Sequence, residues 1–233
     1  MTVIALIPAF NEAARITATV AAARSVSGID RVVVIDDGST DDTARLAVAA
    51  GSEVVRLDTN LGKGAALNAG LEHVAADADV LVLLDADLAS TAAEASLLVR
   101  PVLEGRADMT VAILPRPAGS GGLGLVKGLA RCGIRRLAGL DAAAPLSGQR
   151  ALSRAAWQAG TPFAAGYGVE VALTVRVLRA GLRVTEVPTA IGHAATGRTL
   201  AGFAHRGRQF VAVALTLARL GLERQSPRVI GGK

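Results

Sequence analysis

The sequence predicts an α/β fold, a mostly parallel sheet flanked by helices in a single domain. Three observations lead there. Short, dense apolar runs recur, as strands buried on both faces require ("VIALI" 3–7, "RVVVI" 31–35, "DVLVLL" 79–84). Segments with helical spacing alternate with them, which implies right-handed crossovers between parallel strands. Hydrophobic residues make up 51% of the chain but aromatics only 3%. Such a core is built from Ala, Val, Leu and Ile and suits a layered α/β protein better than an aromatic-rich sandwich.

Each element has its own signal. After the first strand, "NEAARITATVAAAR" (11–24) carries Ile16, Val20 and Ala23 at helical spacing, with Asn11 as the expected N-cap. A helix at 40–50, a strand at 53–57, a helix at 64–76, the strand at 79–84, a helix at 91–104 and a strand at 108–114 follow. "PRPAGSGGLG" (115–124) has the Pro and Gly density of a loop or lid. A helix is expected at 125–139, a short strand in "PLSGQRALS" (145–153), a helix at 166–181 ending on Gly181 and a strand at 182–189. The segment 199–222 is helical, with Arg206, Arg208 and Arg219 among Phe203, Phe210, Val213 and Leu217. Residues 1–114 read as a nucleotide-binding half, and 115–233 as a half built on the same sheet.

Composition narrows the function classes. Cys132 is the single cysteine, so no internal disulfide can form; it is expected to be a buried small apolar residue. "MTVIALIPAFNE" has no basic leader, and no apolar run approaches the roughly 20 residues that span a bilayer. The expected location is the cytoplasm or the inner face of the membrane. The net charge of +5 is nearly all arginine, which favours phosphate-bearing partners. Nucleic acid is not expected, because aromatic platforms with interleaved basic residues are missing and acids cluster at the presumed site.

That site lies at strand ends. In open α/β sheets ligands bind beyond the carboxyl ends of the strands. Three such ends are polar here: "PAFNE" (8–12), "DDGSTDD" (36–42) and "DADLAS" (85–90). In the second, Asp41 or Ser39 is expected to cap the next helix and Asp42 to be a solvated first-turn acid. Asp36 and Asp37 stand where the strand stops, before Gly38, and can accept hydrogen bonds from ribose hydroxyls or a base N–H. Asp85 and Asp87 leave the sheet two residues apart. Both can reach one hard divalent cation, Mg²⁺ or Mn²⁺, and the bland alternative is that they cap a helix starting near Thr91. Lys63, between Gly62 and Gly64, joins a cation to the free N–H groups of a helix start, a plausible phosphate site.

These motifs resemble the nucleotide-sugar glycosyltransferases of the GT-A (Rossmann-like) fold, family 2-like, over about the first 90 residues. The resemblance implies that Pro8, Phe10, Glu12, Asp37 and Ser39 line the base and ribose site. Lys63 approaches the nucleotide, and Asp85, Ala86 and Asp87 lie at the diphosphate and metal. "GGLGLVKGLAR", "PLSGQRALSR", "GYGVEVAL" and "IGHAATGR" are similar to acceptor-side motifs of glucosyl-3-phosphoglycerate synthases. Dolichol-phosphate sugar transferases share the "GY…E" helix start. By this resemblance His193 completes a metal site with Asp87, Gly121 and Gly122 hold a phosphorylated acceptor, and Ser147, Gly148, Tyr167 and Arg198 line the acceptor side. The synthases carry an arginine in the glycine-rich loop where this chain has Leu123 or Gly124. Donor handling is therefore implied as retained, and the acceptor stays open.

The implied reaction is metal-dependent transfer of a hexose from a nucleotide-diphosphate sugar, with UDP-glucose favoured, to a small phosphorylated or lipid-phosphate acceptor. Asp87, Lys63 and Glu170 are the candidate catalytic residues. Lys63 would stabilise charge on the departing diphosphate. Glu170 is the candidate base for an inverting reaction, or else a structural acid at a helix start. A retaining reaction needs no such base. The helical tail packs on the sheet, forms a homodimer interface or lies on an anionic membrane surface, in that order of expectation. Two rivals are a sugar-nucleotide pyrophosphorylase, whose "GxGTR"-like loop is replaced here by "PAFNE", and a non-catalytic nucleotide-binding module.

Overall fold

In the computed structural model, residues 1–115, 124–192 and 200–223 are described, with side chains of the last segment from 209 onward. Seven strands form one sheet: β1 (Val3–Ala9), β2 (Arg31–Asp36), β3 (Glu53–Arg56), β4 (Val80–Leu83), β5 (Met109–Ile113), β6 (Arg150–Ser153) and β7 (Val184–Pro188). Their order is β3-β2-β1-β4-β6-β5-β7. All neighbours run parallel except β6, which is antiparallel to both β4 and β5. The sheet takes strands from both sides of residue 114, five before it and two after.

The apolar runs form strands because both faces are covered. Val3, Ala5 and Ile7 of β1 share one core with Val32 and Val34 of β2 and Val80 and Val82 of β4. The intervening Ile4, Leu6, Val33, Ile35, Leu81 and Leu83 enter the opposite core. This two-residue alternation is the pleat. On the first face lie α1 (Ile16–Arg24), α2 (Thr43–Ala49) and α4 (Ser96–Leu103), the last preceded by a 3-10 helix, Ala89–Ala95. On the second lie α3 (Lys63–Val74), α6 (Arg154–Gly160) and α7 (Val169–Arg179). Trp157 belongs to that second core.

Two helices form a further layer. α5 (Leu125–Ala138) and α8 (Leu200–Leu222) close a third apolar cluster with α7, through Ala130, Ile134, Val171, Val175, Val213 and Leu220. α8 thus packs on helices rather than on the sheet, and Phe210, Val211, Leu215 and Leu222 stay exposed. Among the described residues no helix is long and apolar enough to cross a membrane. Cys132 is exposed, against expectation. Ala130 and Ile134 mark the buried face of α5, and a residue midway between positions four apart points away from it.

One helix start differs from the sequence reading, and a second resolves an alternative it left open. α1 begins at Ile16 and not near Asn11, which sits at a φ of 55° and accepts the Thr40 N–H through Oδ1. At α2 it is Asp41, not Ser39, that serves the helix: its Oδ1 accepts the Thr43 N–H at 3.0 Å. Asp42 is exposed and paired with Arg45, solvated as expected but at the N-cap position rather than in the first turn. At the sheet edge Arg31 of β2 bridges Glu53 of β3 and Asp77, at 2.7 and 2.9 Å.

Candidate active site at the strand ends

β1 lies between β2 and β4, which depart in opposite directions along the sheet. Such a switch point opens a crevice above the strand ends. "PAFNE" leaves β1 there, "DDGS" leaves β2 and "DAD" leaves β4. Because β6 runs antiparallel to β4, its first residue, Arg150, pairs with Leu83 at the end of β4. The preceding loop, Ser147–Gly148–Gln149, is thereby delivered to the same edge.

An ion-pair cluster occupies this edge. Lys63 begins α3, and its Nζ donates to Asp85 Oδ1 at 2.7 Å and to Glu170 Oε1 at 3.0 Å. Glu170 stands in the first turn of α7. Burial alone would draw the Lys63 ammonium down, but Asp85 and Glu170 outweigh it and hold its pKa above the ordinary lysine value. Gln149, fully buried, donates from Nε2 to Asp85 Oδ2 at 2.5 Å and accepts from the Ser147 hydroxyl at 3.2 Å. Gly148 permits this contact. A Cβ there would lie 2.5 Å from Lys63 Nζ and 3.0 Å from both Asp85 oxygens. Gly64 allows a second close approach, since its Cβ would meet the Ala164 carbonyl oxygen at 2.0 Å.

The β1 and β2 ends are cross-linked by their own polar groups. Ser39, buried, accepts the Asn11 N–H at 2.9 Å. Glu12 pairs with Arg15 at 3.1 Å, and its N–H donates to Thr43 Oγ1. Burial raises the Glu12 pKa; Arg15 opposes this, and the negative charges of Asp87 and Asp41 add to it. Pro8 is half-buried at the end of β1, and Phe10 is exposed beside it.

Asp36 and Asp37, expected to accept hydrogen bonds from a ligand, both already have partners within the protein. Asp37 accepts the N–H groups of Leu61 and Gly62, each at 2.8 Å, just ahead of α3. Those two N–H groups are therefore engaged rather than free for phosphate. Asp36 Oδ1 accepts the Ser39 N–H at 3.2 Å; its Oδ2 lies 3.3 Å from Arg56 Nε, a charge contact without hydrogen-bond geometry. Ala86 points into the core and its carbonyl accepts from Thr19 Oγ1, so it can meet a ligand only through other backbone atoms. The helix after "DAD" starts from Leu88, with no side-chain cap from that residue. The Ala89 N–H bonds to Thr19 Oγ1 instead.

On the opposite side of the cluster, Ser147 is buried and Tyr167 is partly exposed on a 3-10 turn, Gly166–Gly168, before α7. Gly121, Gly122, His193 and Arg198 lie outside the described residues. Among the described residues no three His, Cys, Asp or Glu side chains are grouped to hold a metal. The donor chemistry still fits Mg²⁺ or Mn²⁺, which bind through one or two carboxylates and complete their shell with water and phosphate oxygens. Asp87 supplies a hard oxygen donor at an edge whose negative charge already raises Glu12.

Sequence reasoning missed Gln149 and Arg150. The signal was the polar "GQR" inside a predicted strand, which needs the antiparallel direction of β6 before it points at Asp85.

Comparison with known proteins agrees with this geometry. Residues 4–128 match the family model described as glycosyl transferase family 2. Glycosyltransferase AglJ of Haloferax volcanii is 32% identical over 193 residues, 79% of this chain and 61% of that protein. Glucosyl-3-phosphoglycerate synthase of Mycobacterium tuberculosis is 33% identical over 198 residues, 75% of this chain and 60% of that protein. The chain thus spans about three fifths of the length of these two relatives. A crystal structure of that synthase with Mn²⁺, uridine diphosphate and phosphoglyceric acid superposes with a TM-score of 0.77 at 31% identity, covering 94% of this chain and 78% of that one.

Proposed function

The chain belongs to glycosyl transferase family 2, and from that premise we propose that it transfers a hexose from a nucleotide-diphosphate sugar to a small phosphorylated acceptor. UDP-glucose is the proposed donor. The observation that carries the reading is the Lys63–Asp85–Glu170 cluster, set at the switch point beside the ends of β1 and β2. The Lys63 ammonium, held in place by Asp85 and Glu170, sets an oriented N–H donor where a diphosphate would depart, and preorganised donors and charges of this kind are usually the largest single source of such catalysis.

The positions of the described residues support their roles, and the family resemblance supports those of Gly121, Gly122, His193 and Arg198. Phe10 offers an exposed ring for the base, and Glu12, Asp37 and Ser39 frame the ribose side next to Pro8. Asp37 does this while holding the start of α3, so nucleotide contact and Lys63 placement share one residue. Asp87, with His193, would hold the divalent cation, Mn²⁺ or Mg²⁺, which when bound supplies further positive charge to the diphosphate. Glu170 is occupied by Lys63, so we assign it to orienting that ammonium rather than to taking a proton from the acceptor. Gly121, Gly122, Ser147, Gly148, Tyr167 and Arg198 are assigned to the acceptor side.

The test is turnover. Purified protein is given UDP-glucose and Mn²⁺, with 3-phosphoglycerate in one arm and a polyprenyl phosphate in lipid vesicles in the other. UDP release that requires one of the acceptors supports the reading and identifies the acceptor source. UTP formation from UDP-glucose and pyrophosphate, without acceptor-dependent UDP release, would instead mark a pyrophosphorylase.

A further inference from the structure

Arg150 is among the largest fully buried side chains of the protein, at 1% exposure. Among the described residues it has no ion-paired carboxylate. Its Nε donates to the Ser147 carbonyl at 2.9 Å and its Nη1 to Thr174 Oγ1 at 2.8 Å, while Nη2 is buried without a partner. Burial pulls its pKa down to about 10, against the attraction of Glu170 and Glu186, so it stays a cation at neutral pH. A buried, incompletely paired guanidinium is unfavourable for stability, and an apolar side chain of similar volume would serve the core as well or better.

Beside a weak contact from Nη1 to Met109 Sδ at 3.8 Å, its two bonds to oxygen lead to the two walls of the ion-pair cluster. The Ser147 carbonyl opens the Gly148–Gln149 step, where Gly148 abuts Lys63 and Asp85 and Gln149 donates to Asp85. Thr174 Oγ1 accepts from Arg150 and in turn donates to the Glu170 carbonyl at 2.8 Å, at the first turn of α7. The planar guanidinium fork fixes the distance between these two segments in a way an ammonium or a methyl cannot.

We propose that Arg150 is a positioning residue of the donor site: remote from substrate, it clamps the Ser147–Gln149 loop to the first turn of α7. It thereby sets Gln149 and Glu170 against Lys63 and Asp85. The proposal rests on the reading of that cluster as the donor site.

The experiment uses the full chain and its three lysines, Lys63, Lys127 and Lys233. A sample labelled at lysine 13Cε gives three methylene correlations, and Lys63 is assigned through K63R. The variants are R150M and T174V, the second deleting only the hydroxyl between Arg150 and Glu170. Expected in R150M is a displaced Lys63 correlation, with those of Lys127 and Lys233 unmoved. The kcat per folded molecule falls about tenfold while the donor KM stays within about threefold. T174V shows the same pattern to a smaller degree and decides the matter if R150M does not fold. A lowered melting temperature with the Lys63 correlation and kcat unchanged would reduce Arg150 to a structural residue and overturn the proposal. If the wild-type protein transfers no sugar from any donor, the donor-site reading falls. The Lys63 correlation alone then decides, a shift supporting the clamp and no shift overturning it.

Discussion

Lys63 Nζ and Asp85 Oδ1 lie 2.7 Å apart and join the start of α3 to the end of β4. Glu170 completes the arrangement from α7. Substituting Lys63→Met leaves two partly buried carboxylates without their shared cation. The expected loss of stability is about 1–3 kcal/mol, below that of a fully buried pair because water reaches the group. Transfer activity should fall by about 10²–10³. Urea denaturation and steady-state kinetics check both numbers.

Gly148→Ala separates activity from stability. The added methyl would meet the Lys63 ammonium at 2.5 Å. The ammonium is the far end of a flexible side chain and can swing aside while keeping Glu170, so the fold should lose about 1 kcal/mol, the low end of the Lys63→Met range. Moving it away from Asp85 should nevertheless lower kcat/KM about tenfold, equivalent to about 1.4 kcal/mol in the barrier. Equal kcat/KM in the two proteins would show that the contact has no part in turnover.

Gly64→Ala should do the reverse. Its Cβ would meet the backbone oxygen of Ala164 at 2.0 Å, and backbone cannot swing aside. The expected cost is about 1–3 kcal/mol, read as a lower urea midpoint. A midpoint equal to wild type would show that the 162–165 segment yields freely.

At the sheet edge, the hydrogen bond from Arg31 holds the Glu53 pKa down to about 2, against an ordinary 4.5. A depressed carboxylate contributes stability that is fully present above its unfolded value and is lost as pH falls through the folded one. The difference in urea midpoint between wild type and Glu53→Gln should therefore be largest above pH 4.5 and shrink toward about 2. A difference that stays constant below pH 4.5 would show that Glu53 gains nothing from Arg31 on folding.

Much of this site was legible in the sequence for a physical reason. β1, β2 and β4 are dense apolar runs that stop on acids or on "PAFNE", and strand ends in such sheets face the ligand. What was not legible depends on contacts far apart in sequence. Asp37 looks unclaimed until the chain returns with the N–H groups of Leu61 and Gly62. Gln149 reads as a strand residue until the reversed direction of β6 sets it beside Asp85. Asn11 has the composition of an N-cap, yet its left-handed backbone and its bond to Thr40 delay the helix to Ile16. Local signals marked the polar strand ends but did not reveal which partners hold each one.

The most direct test is calorimetric titration of UDP-glucose into the wild-type protein and Asp87→Ala, each with Mn²⁺ and with a chelator. The expected result is binding to wild type with Mn²⁺, weakened at least about tenfold by the chelator and by the substitution alike. Binding of equal strength in all four titrations would contradict a diphosphate and metal site at Asp87.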